Sequence, residues 1–376
     1  MSVVMKREQL ISYFEKVELT KSHTGYFFKV SEAISIILLG SLCGLDNVKQ
    51  IHQWATSKST REFLKEEFAI NKVPCYYWLL CLLKIVEPTS LNKCLMKWSE
   101  QFLPQDRKNL TIALDGKTVR STAKMESYES PLHIVSAQLS ELGITFASKS
   151  VESKSNEIPA VQELIRELDI RGCMVVADAL NCQTETASAI IAGKGDYLLD
   201  VKGNQLLLKE EIEEYIQDET LRKTMEHVTT IEKNHGRIET RTAFSTSSID
   251  WLYGKEKWEH LSSIGAIKKV TEKKGIKTQE WHYYISSRKL TPSDLLHHAR
   301  MEWAVESMHW LLDIHFCEDS CRILNRNIQE NLNLCRKLAF GLIKIYKTRT
   351  NSKKAISNIM FGCLLNSADL LLFFEN

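Results

Sequence analysis

Two aspartates stand directly after short apolar runs, a position from which carboxylates can do chemistry. Asp115 follows "TIAL" in "TIALDGKTVR", and Asp178 follows "MVVA" in "MVVADALN". If both runs are neighbouring parallel strands, their carboxyl ends meet at one edge of a sheet, where reactive groups gather. Two buried carboxylates repel each other unless a cation lies between them, so the pair indicates a metal site. The alternative is that each aspartate only caps a turn.

A third acid is offered by the helical segment "RMEWAVESMHWLLDIHF", residues 300–316. At helical spacing Glu306 falls on one face with an apolar stripe, and we interpret it as an inward glutamate. The stripe is Trp303, Trp310, Leu311 and Ile314. Asp115, Asp178 and Glu306 together would provide oxygen ligands suited to Mg²⁺ or Mn²⁺. Zinc is disfavoured because the neighbouring histidines form no HExxH motif.

The segments that must position these acids alternate in type. Residues 1 to about 105 have helical patterns, and the strand that ends at Asp115 follows them. Two alternating strands, a helix, the strand before Asp178, a second helix and the strand "DYLLDVKG" come next. That order predicts a mixed sheet covered by helices. Asp200, at the end of the last strand, is a rival acid whose simplest role is to orient Lys202.

Composition limits the class of protein. The chain has 376 residues, of which 44% are hydrophobic, and it contains no apolar run long enough to span a membrane. The first residues lack a signal-peptide pattern, so the cytoplasm is the expected compartment. Ten cysteines without a CxxC pair indicate reduced thiols. Net charge is only +2, but residues 322–354 carry nine basic residues and one acid. That run is either a DNA-binding surface or a solvated helix face.

The motifs together resemble a known family. The chain is similar to DDE-type insertion-sequence transposases of the H-repeat-associated group. The resemblance rests on "ALDGKTVRST", "ESKSNEIPAVQELI", "VVADALNCQTETASAI", "YLLDVKGNQ", "NHGRIETRT", "YYISSRKL" and "VESMHWLLDIHFCEDSCRI". It implies an RNase H-like α/β fold and a transposase that cleaves DNA ends and transfers strands. It also implies that Asp115, Asp178 and Glu306 are catalytic and bind Mg²⁺ or Mn²⁺, with two ions expected.

The resemblance further implies a DNA partner, both element ends and target, with a homodimer assembled on the DNA. We expect DNA contacts from basic and amide side chains near the acids and in the basic run: Lys117, Arg120, Asn181, Lys202, Asn204, Arg300, His309, Arg336 and Lys337. The expected compartment is the cytoplasm of a bacterium, associated with the nucleoid. No membrane partner is expected.

The expected domains follow from these patterns. Residues 1–105 form a helical DNA-binding domain, and residues 106–204 form the first part of the catalytic core. Residues 205–295 form a β-rich insertion, and residues 296–376 complete the core with the Glu306 helix and basic C-terminal helices.

One departure keeps other functions open. Family members read close to "HWGIEN" where this chain has "EWAVES". Glu302 therefore either crowds the site with negative charge or replaces a ligand. A catalytically inactive, domesticated DNA-binding protein and a metal-dependent nuclease without strand transfer remain as alternatives.

Overall fold

The computed structural model describes residues 9–21, 28–119, 132–151, 157–234, 236–321, 323 and 325–374. The chain forms two compact units. The first comprises Met1–Pro104, Gly116–Glu157 and Glu306–Asn376, and the second comprises Gln105–Asp115 and Ile158–Val305. Among the described residues, no helix is both long and apolar enough to cross a membrane.

Helices dominate both ends of the chain. The described residues before the first strand form α1 (Leu10–Tyr13), α2 (Val30–Leu42), α3 (Val48–Thr56), α4 (Lys58–Phe68), α5 (Tyr76–Ile85) and α6 (Pro88–Glu100). Between strands lie α7 (Glu157–Glu167), α8 (Thr184–Ala192), α9 (Leu206–Gln217) and α10 (Glu219–Lys223). The last strand is followed by α11 (Pro292–Phe316), α12 (Arg326–Thr350) and α13 (Ile356–Leu365). The helical N-terminal region predicted from the sequence is confirmed.

In the part of the chain that the structure describes, nine strands form one mixed sheet. They are β1 (Thr111–Thr118), β2 (His133–Leu139), β3 (Ile144–Val151), β4 (Met174–Ala177), β5 (Asp196–Val201), β6 (Glu226–Asn234), β7 (Arg237–Thr246), β8 (Ser263–Lys273) and β9 (Ile276–Ser286). Their order is β3-β2-β1-β4-β5-β9-β8-β7-β6. β1, β4 and β5 run parallel, while β5 with β9 and the hairpins of β6 to β9 are antiparallel. The predicted RNase H-like sheet and β-rich insertion are confirmed.

The first unit is built around α12. This helix packs against α2, α5 and α6 and against β3. A Cβ atom on Gly341 would lie 2.7 Å from the ring of the fully buried Trp98, so glycine allows α12 and α6 to approach closely. Side-chain hydrogen bonds also join α6 to β3: Ser99 Oγ donates to the Thr145 carbonyl at 2.8 Å. The helix predicted to present a basic face is therefore the central helix of this unit.

His298 links α11 to β1 in the second unit. Its Nδ1 lies 2.8 Å from Thr111 Oγ1, and both residues are buried. Burial lowers the pKa of His298 to about 4, and the positive charges of His297 and Arg288 add to the effect. At neutral pH the imidazole is therefore neutral in the folded chain.

We expect acid to destabilise the second unit through His298. Between about pH 6.5 and 4 the unfolded state binds a proton that the folded state refuses, so the free energy of unfolding falls as pH falls through this window. The loss is up to about 3 kcal/mol. His298→Gln should flatten this part of a urea-denaturation profile against pH, while His227→Gln, at an exposed position, should leave the slope unchanged. An equally steep profile in His298→Gln would contradict the assignment.

Candidate active site

The parallel strands of the second unit carry a row of three aspartates. Leu114 of β1 is level with Ala177 of β4, which is level with Leu199 of β5. The next residue in each case is an aspartate: Asp115 in β1, Asp178 directly after β4, and Asp200 in β5. Residues at one register position on adjacent strands point to the same face of the sheet, about 5 Å apart. The strands that carry Asp115 and Asp178 are neighbours, as the sequence pattern predicts.

Helix α11 lies on this sheet, and a glycine permits its close approach. A Cβ atom on Gly265 of β8 would lie 2.5 Å from Leu295 Cδ2 of α11. Gly265 is level with Tyr284 of β9, which is level with Asp200. Glu302 follows Leu295 by two helical turns and lies on the same helix face. Its advance along the axis, about 10 Å, matches two strand spacings of about 4.8 Å. Glu302 therefore lies about 10 Å further along α11 than Leu295, on the same helix face.

Glu302 is half-buried. The pKa of its carboxyl is raised to about 8, first by burial and then by the negative charges of Asp200, Asp178 and Asp115, while Lys202 opposes them. The four carboxyls therefore share one electrostatic environment. A divalent cation there would relieve the repulsion and favour the charged carboxylates, because an opposite charge lowers a carboxyl pKa. The donor set, oxygen atoms alone, fits Mg²⁺ or Mn²⁺.

Lys202 is a positively charged residue beside these carboxyls. Its Nζ lies 2.7 Å from Asp200 Oδ2, although the lysine side chain is more than half exposed. Burial lowers the pKa of Lys202, but Asp200 outweighs it, so the net shift is upward. This direct contact supports the predicted role of Asp200 in orienting Lys202. The Lys202 ammonium is exposed and can also contact a ligand.

The loops after β4 and β5 are joined by amide side chains. Asp178 Oδ1 accepts hydrogen bonds from the Asn181 side chain at 2.9 Å and from its backbone N–H at 3.3 Å. Asn204 Nδ2 donates to the Ala179 carbonyl at 2.6 Å. Asp178 thus caps a turn as well as ending its strand. The fully buried Asn181 and the side chain of Asn204 hold these two loops at the carboxyl edge of the parallel strands. The DNA contacts predicted for both residues remain predictions.

Gly116 follows Asp115 because the neighbouring space is filled. A Cβ atom at this position would lie 2.5 Å from Glu157 Oε2 and 2.7 Å from His133 Nε2. Those two side chains are buried and pair at 2.8 Å, and Thr118 Oγ1 lies 2.9 Å from His133 Nδ1. Only glycine fits this position of β1, which explains the Asp-Gly sequence.

A comparison with protein-family models decides the family. A model described as "Transposase DDE domain" matches residues 106–342, more than half of the chain. The protein belongs to this transposase family. A second model, described as "DDE_Tnp_1-associated", matches residues 11–99. The second match covers most of α1 to α6, so the helical region also accompanies DDE domains in other proteins.

Curated relatives extend over most of the transposase chain. "Putative transposase YncI" of Escherichia coli O157:H7 is 28% identical over 348 residues, covering 90% of this chain and 88% of the relative. "H repeat-associated putative transposase YhhI" of Escherichia coli K12 is 29% identical over 342 residues, covering 87% and 89%. The predicted resemblance to the H-repeat-associated group is confirmed.

A solved structure gives a weaker likeness. The piggyBac transposase synaptic complex with hairpin DNA aligns with 96% of this chain and 78% of that chain, at 12% identity and a TM-score of 0.40. At this low score no residue of that complex can be matched to a residue of this transposase.

The buried face of α11 differs from the predicted one. Its buried positions near Glu306 are Val305, Met308, Leu312 and Phe316. Trp310 and Ile314 are 59% and 50% exposed, and Glu306 is exposed as well. The interpretation of Glu306 as an inward residue of an apolar stripe is therefore wrong. Glu306 lies one turn beyond Glu302 on the same helix, and its role as a ligand remains a prediction.

Lys117 belongs to a buried network in the first unit. Its Nζ lies 2.6 Å from Asp313 Oδ1 and pairs with Glu318, which also accepts a hydrogen bond from Asn333. Glu318 is 3% exposed. Burial raises the pKa of Glu318, but Lys117 and Lys337 outweigh it and hold the pKa below its usual value. The ammonium of Lys117 is therefore paired with carboxylates of the fold, and its predicted DNA contact remains a prediction.

Arg336 and Lys337 are also interior. They are 4% and 2% exposed. Arg336 donates to the Asp46 carbonyl at 2.6 Å, and Lys337 Nζ donates to Ser136 Oγ at 2.8 Å and Ser148 Oγ at 2.7 Å. The predicted surface position of both residues is wrong, because each finds its partners within the first unit. Among the described cations of the basic run, Lys353 and Lys354 are exposed, and both lie beyond the end of α12.

The remaining predicted DNA contacts have different surroundings. Arg300 pairs with Glu232 of β6, which also binds Arg241 at 3.1 Å. His309 contributes to the lowered pKa of Glu318, so it lies near that carboxylate. Arg120 lies outside the described residues. Arg300 is partly exposed and keeps the possibility of a phosphate contact.

Tyr284 is the residue of the site that sequence reasoning did not select. It occupies the register position beside Asp200 and is 1% exposed. Burial raises its pKa well above the usual value, and Glu302 and Asp200 add to the shift. The only sequence signal was its place in "YYISSRKL", where alternation alone predicts a strand residue without indicating a site.

Proposed function

We propose that this protein is an active transposase that cleaves DNA at the ends of an insertion sequence and joins those ends to target DNA. The observation that carries the proposal is the row of Asp115 and Asp178 at the carboxyl edge of parallel strands, with α11 adding glutamate beside it. Family membership supports the same chemistry. Mg²⁺ or Mn²⁺, as two ions, would be held by Asp115, Asp178 and a glutamate of α11, for which Glu306 is the sequence-based candidate.

The reaction follows from these residue types. Divalent ions in such a site activate the attacking oxygen and stabilise the leaving oxygen of a phosphodiester. In cleavage, a water oxygen bonds to phosphorus and the bond from phosphorus to the 3′ oxygen breaks, which leaves a 3′-hydroxyl and a 5′-phosphate. In joining, that 3′-hydroxyl attacks a target phosphodiester and displaces its 3′ oxygen. The carboxylates orient the site, and Lys202 offers an exposed ammonium for a phosphate oxygen.

DNA must be held by surfaces other than the acids, which would repel it. We propose that residues 1–105 and the exposed cations after α12 bind element-end DNA, and that the insertion, residues 205–295, adds contacts. Double-stranded DNA is the partner, and two copies of the chain act together on it. Lys202 and Arg300 are the predicted contacts that retain exposed charge.

The test uses the DNA that flanks the gene. A plasmid carrying both flanks should be nicked at discrete positions by the wild-type protein with Mg²⁺ or Mn²⁺, and labelled ends should become joined to a second plasmid. Nicks without joined products would favour the nuclease alternative. Binding of the flanks without nicks under either ion would favour the inactive DNA-binding alternative, and would overturn the proposal.

A further inference from the structure

A basic cleft lies at the amino ends of the parallel strands, at the opposite edge of the sheet from the aspartate row. It has a volume of about 650 Å³, and four cationic residues line it: Arg107 and Lys108 before β1, Arg171 before β4 and Arg288 after β9. All four belong to the second unit. Among the described lining residues, Asp106 is the single acid. This lining favours an anionic ligand.

Arg288 holds the walls of the basic cleft together. Its Nε and Nη2 donate to Asp196 Oδ2 at 3.0 and 2.6 Å, and its Nη1 donates to the Lys108 carbonyl at 2.7 Å. The arginine side chain is 19% exposed. These bonds join the first residue of β5 to the segment before β1, so the cleft is built by the fold itself. Asp196 balances the charge of Arg288.

Arg171 presents part of its guanidinium to the outside. Its Nε and Nη2 donate to the two carboxylate oxygens of Asp169 at 2.6 and 2.8 Å, and its side chain is 67% exposed. A guanidinium carries five N–H donors in one plane, and those on Nη1 bond to no described residue. Asp169 also pairs with Arg107 at 3.0 Å. Two arginines therefore share one carboxylate, which leaves one positive charge unbalanced.

Lys108 is the other exposed cation of the basic cleft. Its backbone N–H donates to Asp106 Oδ1 at 3.0 Å, which fixes the turn before β1. Its ammonium pairs with no carboxylate among the described residues. The charges of Lys108 and Arg171 are thus held on a rigid wall with donors left for a ligand. Charged donors of this kind form the strong hydrogen bonds by which proteins bind phosphate.

We propose that the basic cleft binds a phosphate group of the DNA backbone, with the Lys108 ammonium and the outer N–H groups of Arg171 as donors. The inference rests on the proposed function and adds a DNA contact to it. Thr111 and Asp115 are four residues apart along β1, about 13 Å, so a phosphate in the cleft is a different one from the phosphate that reacts at the aspartate row. The cleft contributes affinity for a second stretch of the DNA, and the row performs the chemistry.

Lys108→Gln tests the phosphate contact, because Lys108 has no ion pair whose loss would disturb the fold. Binding of a labelled duplex carrying the flanking DNA, measured without metal by fluorescence anisotropy, should lose about 0.9 from its slope of log affinity against log salt. Nicking at saturating DNA with Mg²⁺ should keep the wild-type rate, since this contact is the same in the ground state and the transition state. A wild-type salt slope in Lys108→Gln would overturn the proposal.

Arg166→Gln is the matched control, since Arg166 is an exposed arginine in the last turn of α7 in the same unit and does not line the basic cleft. Its salt slope should equal that of the wild type. Arg171→Gln should lower the slope as Lys108→Gln does. If Arg171 only supports the fold through Asp169, Arg171→Gln would instead lower the melting temperature and leave the salt slope unchanged, which would contradict the proposal.

Titration with inorganic phosphate separates DNA from free anions as the ligand. If Lys108→Gln loses phosphate binding but keeps the wild-type salt slope for DNA, the basic cleft is a site for free anions and the proposal is wrong. If both cleft variants bind DNA as the wild type does while the wild type nicks, the inference fails and the proposed function stands. If both variants lower the slope and the wild type does not nick, the inference stands and the proposed function fails.

Discussion

Asp178→Asn is expected to lower the rate of DNA nicking by at least about 10³-fold, which corresponds to roughly 4 kcal/mol of lost transition-state stabilisation. Asp178 occupies the middle of the aspartate row, between β1 and β5. The substitution removes a charge and a metal-binding oxygen. It preserves the Oδ1 atom that accepts hydrogen bonds from Asn181, so the turn should remain intact. The measurement is single-turnover nicking of a labelled flank with Mg²⁺.

The matched control for this variant is Asp196→Asn. Asp196 is the first residue of β5, whereas Asp200 lies near the end of that strand. The Asp196 carboxylate pairs with Arg288 at 2.6 Å. Its loss should reduce stability modestly, and nicking per folded molecule should stay within about threefold, because it lies at the opposite edge of the sheet from the row. Nicking by Asp178→Asn within tenfold of the wild type would show that the row does not bind the reacting phosphate.

The sequence predicts the strand-end acids well because their signal is local. An apolar run followed by aspartate defines both the strand and its end, and parallel neighbours then bring Asp115 and Asp178 level. Asp200 follows the same rule in the next strand. Tyr284 could not be selected in this way, since it reaches the row from an antiparallel strand within the long insertion. Its position depends on the pairing of β9 with β5, which no local pattern specifies.

The face of α11 is harder to predict for a different reason. Apolar and aromatic side chains occur around the whole helix between Arg300 and Phe316, so periodicity is consistent with more than one inward face. Between Arg300 and Phe316 the buried stripe includes Val305, one residue before Glu306. A shift of one residue turns a helix by about 100°, enough to exchange a buried position for an exposed one. The face of α11 that packs on the sheet depends on contacts such as that of Leu295 with Gly265, made by residues distant in the chain.

Counting charged residues along the chain also led to a wrong prediction, the surface position of Arg336 and Lys337. Arg336 and Lys337 contribute to a basic run, yet their partners lie at Asp46, Ser136 and Ser148, nearly 200 residues or more away in sequence. Lysine and arginine are seldom buried, so a run of them predicts a surface unless partners are known. The acid that balances Lys337 electrostatically, Glu318, is visible in the sequence but is not identifiable as a partner until the chain is folded.

Lys337 is the interior cation whose loss should cost most stability. Burial lowers its pKa to about 8, while Glu318 opposes the shift. Near neutral pH the ammonium is therefore mostly charged, and both serine hydroxyls accept its hydrogen bonds. Glu318 would keep Lys117 as a partner if Lys337 were removed, but a nearby positive charge would be lost. Removing one member of a buried charge network commonly costs about 3 to 5 kcal/mol, because the remaining charges are not solvated.

Lys337→Met should accordingly lower the free energy of unfolding by about 3 kcal/mol or more, measured by urea denaturation at pH 7. Methionine keeps most of the side-chain volume. The decrease in the free energy of unfolding therefore measures the lost charge and hydrogen bonds more than the creation of a cavity. Lys353→Met, an exposed position beyond α12, makes the same chemical change and should stay within about 0.5 kcal/mol of the wild type. Equal stability of the two variants would mean that Lys337 is not held in the network. A weaker salt dependence of DNA binding in Lys337→Met than in Lys353→Met would return Lys337 to the DNA-binding surface.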